Sequence, residues 1–138
     1  MTDDLVAFLR ARLDEDEQTA RAASAGPWRV NSETYAEKIS DATGTDIVAG
    51  GRWGGEASVF ESTEDALHIA RHDPARVLAD VYVKRCIIDQ FTMIELPAES
   101  NGDTAAVGAY VKMTGVLRLL ALPWREHPDY RSEWAPEV

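Results

Sequence analysis

The sequence predicts an α+β domain, a small antiparallel β-meander packed on a bundle of about four helices, and three observations predict it. Apolar residues recur at helical spacing over residues 2–24, 74–91 and 104–122. Between the first of these stretches and the others come short alternating runs with no helix separating them, which favours antiparallel pairing because parallel strands need a long crossover. The chain has 138 residues, 45% of them hydrophobic and 28% charged, enough to bury one core without disulfide or metal.

The first helix, residues 2–24, opens on Thr2 as a cap, with Asp3 and Asp4 at the positive end of its dipole. Leu5, Phe8, Leu9 and Leu13 share one face of it. Gly26-Pro27 ends it, and strands are predicted at 28–31, 45–49 and 58–60, the last two separated by the glycine pairs Gly50-Gly51 and Gly54-Gly55 around Trp53. Ser62 with Asp65 three residues on reads as a variant capping box and starts a helix over 62–72. Asp73-Pro74 then supplies a cap and a first-turn proline for a helix over 74–91, on which Val77, Val81 and Ile88 form one stripe with Leu78, Tyr82 and Cys86 beside it. Residues 96–102 read as a loop. A last helix over 104–122 carries Val107, Tyr110, Val111, Thr114, Leu117 and Ala121 at helical spacing and stops at Pro123. The tail, 124–138, holds Trp124, Tyr130 and Trp134, ring area sufficient to dock on the body. No repeat or long linker divides the chain, so one domain over 1–138 is expected.

Charge narrows the function classes. Fourteen Lys and Arg against 24 Asp and Glu leave a net charge of -10, and the largest basic cluster is the pair Lys84-Arg85. A surface that repels phosphate makes direct nucleic-acid binding an unexpected role, whereas a basic protein is a natural partner for it. The single Cys86 allows no intrachain disulfide and suits a reducing cytoplasm. The N-terminus is acidic where a signal peptide is basic, and the apolar stretch from Val116 to Pro123 is interrupted by Arg118, so no membrane segment is expected.

Few residue patterns point to chemistry. His68 and His72 are four apart on a helix and project from one side, the spacing of two metal ligands; His127 would complete a zinc-type site if the tail folds back. No glutamate follows His68 directly, so the zinc-protease pattern is absent, and dipole and surface roles are the favoured account of both histidines. The segment Gly50 to Gly55 lacks the spacing of a dinucleotide fingerprint and is not followed by Gly-Lys-Ser or Gly-Lys-Thr. No serine elbow is present, and Cys86 stands beside Ile87 and Ile88, neighbours that disfavour a thiolate. Arg85 falls within the apolar arc of its helix, from which it would reach an acid such as Asp129 or Glu133, or lie with a buried stem and an exposed head. With Trp124, Tyr130 and Trp134 it forms the set of candidate partner or tail contacts.

Several segments carry a family resemblance: Asp4 to Glu17, Gly26-Pro27-Trp28, His68 to Leu78, Leu119 to Pro123, and His127 to Arg131 with Glu133-Trp134. Together they resemble an uncharacterised family of short actinobacterial and actinophage proteins, a domain of unknown function. The resemblance spans most of the chain and implies no activity, cofactor or catalytic residue. Relatives of this pattern include proteins with cysteines and an extra histidine between the third and fourth helices. This sequence has neither residue between Asp89 and Arg125, which weighs against a shared metal enzyme. The reading that follows is a cytoplasmic, non-enzymatic accessory module that binds another protein, with self-association a natural corollary of its surplus apolar helix faces. A metal-binding domain on His68, His72 and His127 and an acidic imitator of nucleic acid that occupies a basic protein are the alternatives.

Overall fold

The computed structural model describes residues 2–31, 38–49, 62–101 and 104–136, with the side chains of 49 and 95–101 outside that description. It has an α+β architecture of four helices and a three-stranded antiparallel sheet. The chain forms two compact units, one of residues 1–15 and 81–138 and the other of residues 16–80.

The second unit is a sheet covered by a short helix. Strands β1 (Arg29–Asn31), β2 (Lys38–Ser40) and β3 (Asp46–Ala49) pair in the order β1-β2-β3. Register places Val30 opposite Ile39 and Ile39 opposite Val48, so one apolar row crosses all three strands. That row packs on Ala66 and Ala70 of α2 (Thr63–Arg71), together with Trp28. Alanines on the covering helix let it lie close to the sheet, and Ile39 at the centre is fully buried. The central strand lies outside the three strands that alternation predicts, because Lys38-Ile39-Ser40 has one apolar residue and no pattern to read. The expected strand at 58–60 and the glycine turn at 50–55 lie outside the described residues.

Two local devices fix this unit. The β2–β3 turn is built on Asp41, whose Oδ1 accepts from the amides of Thr43 and Thr45, both at 2.9 Å, and from the Thr43 hydroxyl at 2.6 Å. Gly44 sits there at φ +84°, where a side chain is strained. At the other end Asp73 is buried and precedes α3 (Pro74–Asn101): Oδ1 accepts from the Arg76 amide at 2.9 Å as a helix cap, while Oδ2 accepts from the Trp28 amide at 2.8 Å. Ser62 caps α2 in the same way, accepting from the Asp65 amide at 3.2 Å.

The first unit takes its buried residues from Leu5, Phe8, Leu9 and Leu13 of α1 (Thr2–Ala22), Val81, Ile88 and Phe91 of α3, Leu117 and Ala121 of α4 (Thr104–Ala121), and Trp134. Thr2 belongs to the first turn instead of capping it, and its hydroxyl bonds the Tyr110 hydroxyl at 2.6 Å. Helix α3 continues to Asn101, past the expected end at Phe91 and into the stretch 96–102 read as a loop. Glu95, Leu96, Ala98 and Glu99 are strong helix formers, and they sustain it around Pro97. After α4, two single 3-10 turns, Leu122–Trp124 and Ser132–Trp134, lead the tail across α1.

Candidate functional site

Helix α4 stands apart in composition and exposure. Between Asp103 and Glu126 the sequence has no acidic residue, in a chain that carries 24. The helix with its following turn, Thr104–Trp124, is long and apolar enough to cross a membrane by length and composition alone, yet only 11% of its most apolar stretch is buried. An apolar helix of a globular protein is ordinarily interior, and this one is largely not.

The burial pattern resolves α4 into two stripes. Tyr110 and Thr114 are half-buried and Leu117 and Ala121 fully so; Tyr110 packs against Phe91 with ring centroids 5.3 Å apart. On the other side Val107, Val111 and Leu119 are 44%, 62% and 56% exposed. They are spaced by four and eight residues, so they line one face, with Gly115 completing the row. A groove of about 570 Å³ runs along this face, walled by Val111, Thr114, Gly115, Arg118, Leu119 and, from the tail, Pro136. A methyl group built on Gly108 or Gly115 would meet no atom within 4 Å among the described residues beyond its own helix backbone. Packing among those residues therefore does not require either glycine, although each is about 1 kcal/mol less favourable than alanine inside a helix.

Two of the tail residues singled out by sequence, Tyr130 and Trp134, gather on α1 with His127. Phe8 lies 5.0 Å from Trp134, 6.0 Å from Tyr130 and 5.7 Å from His127 between ring centroids, and Tyr130 meets Trp134 edge-on at 5.7 Å. Arg12 is buried beside them; its Nη1 contacts the His127 ring and its Nη2 donates to Glu15 Oε1 at 2.8 Å. Arg131 pins the tail to Asp4 at 2.7 Å. Three donors in this cluster, Arg12 Nε, the Tyr130 hydroxyl and Trp134 Nε1, are buried without a hydrogen-bond partner among the described residues. Trp124 lies under Lys84, whose Nζ is 5.3 Å from the ring centroid. Arg85 donates to Asp14 Oδ1 of α1 at 2.6 Å, and Glu133 of the tail lies 3.8 Å from Arg131. Asp14 was not among the acids that the sequence offered for Arg85, because α1 approaches α3 only in three dimensions.

The histidines divide between the units. His68 and His72 sit together at the end of α2, both exposed, with ring centroids 4.3 Å apart, and His72 Nδ1 donates to the His68 carbonyl at 2.8 Å. His127 belongs to the first unit, where its ring meets Arg12 and its Nδ1 accepts from the Asp129 amide at 3.1 Å. Among the described residues no group of three or more His, Cys, Asp and Glu side chains is placed to hold a metal ion. A hollow of about 710 Å³ beside β1 has Arg29 and Asp41 as its ionisable residues. Hydrogen bonding from Thr43 holds the Asp41 carboxyl below the usual carboxylate range, so it serves the turn as an anion.

Fold and surface together define a small α+β protein whose most distinctive feature is an exposed apolar helix. The chain belongs to DUF6221, a family of unknown function that it matches over residues 2–136. No curated protein and no solved structure matches it.

Proposed function

We propose that this chain is an accessory protein-interaction module that works through the exposed face of α4 and catalyses no reaction of its own. The observation that carries this reading is the mismatch between the apolar composition of α4 and the small share, 11%, of its most apolar stretch that is buried. Burying apolar surface is worth about 25 cal/mol per Å², so a face such as Val107, Val111 and Leu119 gains free energy whenever a complementary surface covers it. The acid-free run around it lets a partner approach a chain that is otherwise anionic. Cytoplasmic residence and kinship with short actinobacterial and actinophage proteins belong to the same proposal, and both rest on the sequence.

A photo-crosslinking side chain placed at Val111 in living cells tests it, with one at Glu64, an exposed polar position on α2, as the control. Discrete adducts from position 111 and none from position 64 are expected. Equal labelling at both positions, or none at either, would remove the reading. The metal reading retains one specific observation in its favour, the close pair His68 and His72. Elemental analysis of untagged protein decides it, since a stoichiometric metal lost on replacing both histidines is its required result.

A further inference from the structure

We infer that the cleft between α1 and the tail is a binding site for a small neutral ligand, an aromatic ring that carries amide-type acceptors. The cleft holds about 460 Å³, a size usual for small-molecule sites. None of the described residues that line it belongs to α4, so the inference stands or falls apart from the α4 reading. Ala7 and Ala11 of α1 leave room in it beside three rings, Phe8, Tyr130 and Trp134. Such rings offer a flat ligand offset or edge-on stacking.

Unmet donors define what the ligand must present. Arg12 Nε, the Tyr130 hydroxyl and Trp134 Nε1 have no hydrogen-bond partner among the described residues, and all three residues line this one cleft. Arg12 and Trp134 are only 7% and 5% exposed, and the three atoms are covered from water in the free chain. Buried polar atoms of folded proteins are nearly always paired, so three orphans around one cleft form a set that acceptors on a ligand would complete. Arginine and the indole can only donate, which fixes the missing group as an acceptor. The last torsion of a tryptophan side chain is soft, and a turn of the Trp134 indole about it carries Nε1 toward the cleft.

Charge separates a neutral acceptor from an anion. Among the residues that line the cleft, Asp4 and Asp129 balance Arg12 and Arg131. Each guanidinium already has a carboxylate, Arg12 with Glu15 at 2.8 Å and Arg131 with Asp4 at 2.7 Å. A carboxylate ligand would enter against a chain that carries -10 and compete with these acids for their cations. An amide carbonyl accepts from the three orphan donors without that conflict.

A nuclear magnetic resonance titration of the isotope-labelled full chain with N-acetylphenylalaninamide, a neutral ring bearing amide carbonyls, tests the site. A ligand of this size should bind with a Kd of about 1 mM. The indole N–H signal of Trp134, assigned by its loss in Trp134→Phe, should move downfield as the group gains an acceptor. Tyr130→Phe should keep the fold and lose about fivefold or more in affinity. N-acetylphenylalanine, the same body ending in a carboxylate, should bind more weakly than the amide.

No movement of the Trp134 signal up to about 10 mM amide, or an affinity that Tyr130→Phe leaves unchanged, overturns the site. Tighter binding of the carboxylate than of the amide overturns the neutral class. A Trp134 signal already at a hydrogen-bonded position before any ligand is added would show that the donor has a partner in the free chain, and the inference then fails at its first step.

Discussion

At the scale of single residues, the structure separates side chains that hold the tail from polar atoms that do nothing for it. Trp134 is buried against Phe8 and Tyr130, and its truncation to alanine should cost about 3–5 kcal/mol, read as a fall in the urea midpoint. Tyr130→Phe is expected to be neutral or stabilising, because the hydroxyl it removes is a buried group without a partner among the described residues, and such a group keeps its desolvation penalty. A clear loss of stability in Tyr130→Phe would mean that the hydroxyl is hydrogen-bonded in solution. Asp73 is the opposite case, a buried carboxylate with both oxygens engaged. Asp73→Ala removes the α3 cap and the Trp28 anchor together, a loss of about 1–3 kcal/mol. Gly26 must be glycine for the same reason: a methyl group there would stand 2.6 Å from Asp73 Oδ2 and 2.8 Å from the Ala75 methyl. Because both substitutions break one contact, the Gly26→Ala/Asp73→Ala double variant should lose less than the sum of the singles in denaturant titrations.

At the scale of elements, the β2–β3 hairpin has a built-in acid sensitivity. The Asp46 carboxyl is held below its ordinary range by hydrogen bonds first from Lys38 and then from Ser40, as Asp41 is by Thr43. A carboxylate whose folded value is depressed contributes stability above its unfolded value near about 3.9, and loses that contribution as pH falls through the folded value. Amide exchange at Ile39 and Val48 should therefore accelerate below pH about 4 beyond the intrinsic trend, and Asp46→Asn should flatten the change. The same scale shows what sequence could and could not disclose. Ser62 and Asp73-Pro74 are legible because a cap is a local event, settled within four residues. Lys38–Ser40 is not, since a three-residue central strand owes its place to Val30 and Val48 on either side. Helix α4 is the instructive case: its sequence offers two apolar stripes, and spacing alone cannot say that Leu117 and Ala121 face inward while Val107 and Val111 face water. That choice is made by Phe91 stacking on Tyr110, a contact between residues nineteen positions apart.

At the scale of the whole molecule, the decisive quantity is net charge against one acid-free helix. Two copies of a chain carrying -10 repel at long range, and the range is set by salt: about 30 Å at 0.01 M and about 3 Å at 1 M. A contact held by Val107, Val111 and Leu119 loses nothing when charges are screened, because its attraction is apolar. Crosslinking from position 111 in cell extract should therefore hold or rise as sodium chloride is raised. A contact made by Lys112 and Arg118 with an acidic protein or an anionic lipid surface has the opposite sign, weakening as salt is added. The slope thus assigns the force that acts on this face independently of what occupies it. A contact at position 111 that dissolves at high salt would place the attraction in the two cations and take the apolar row out of the account.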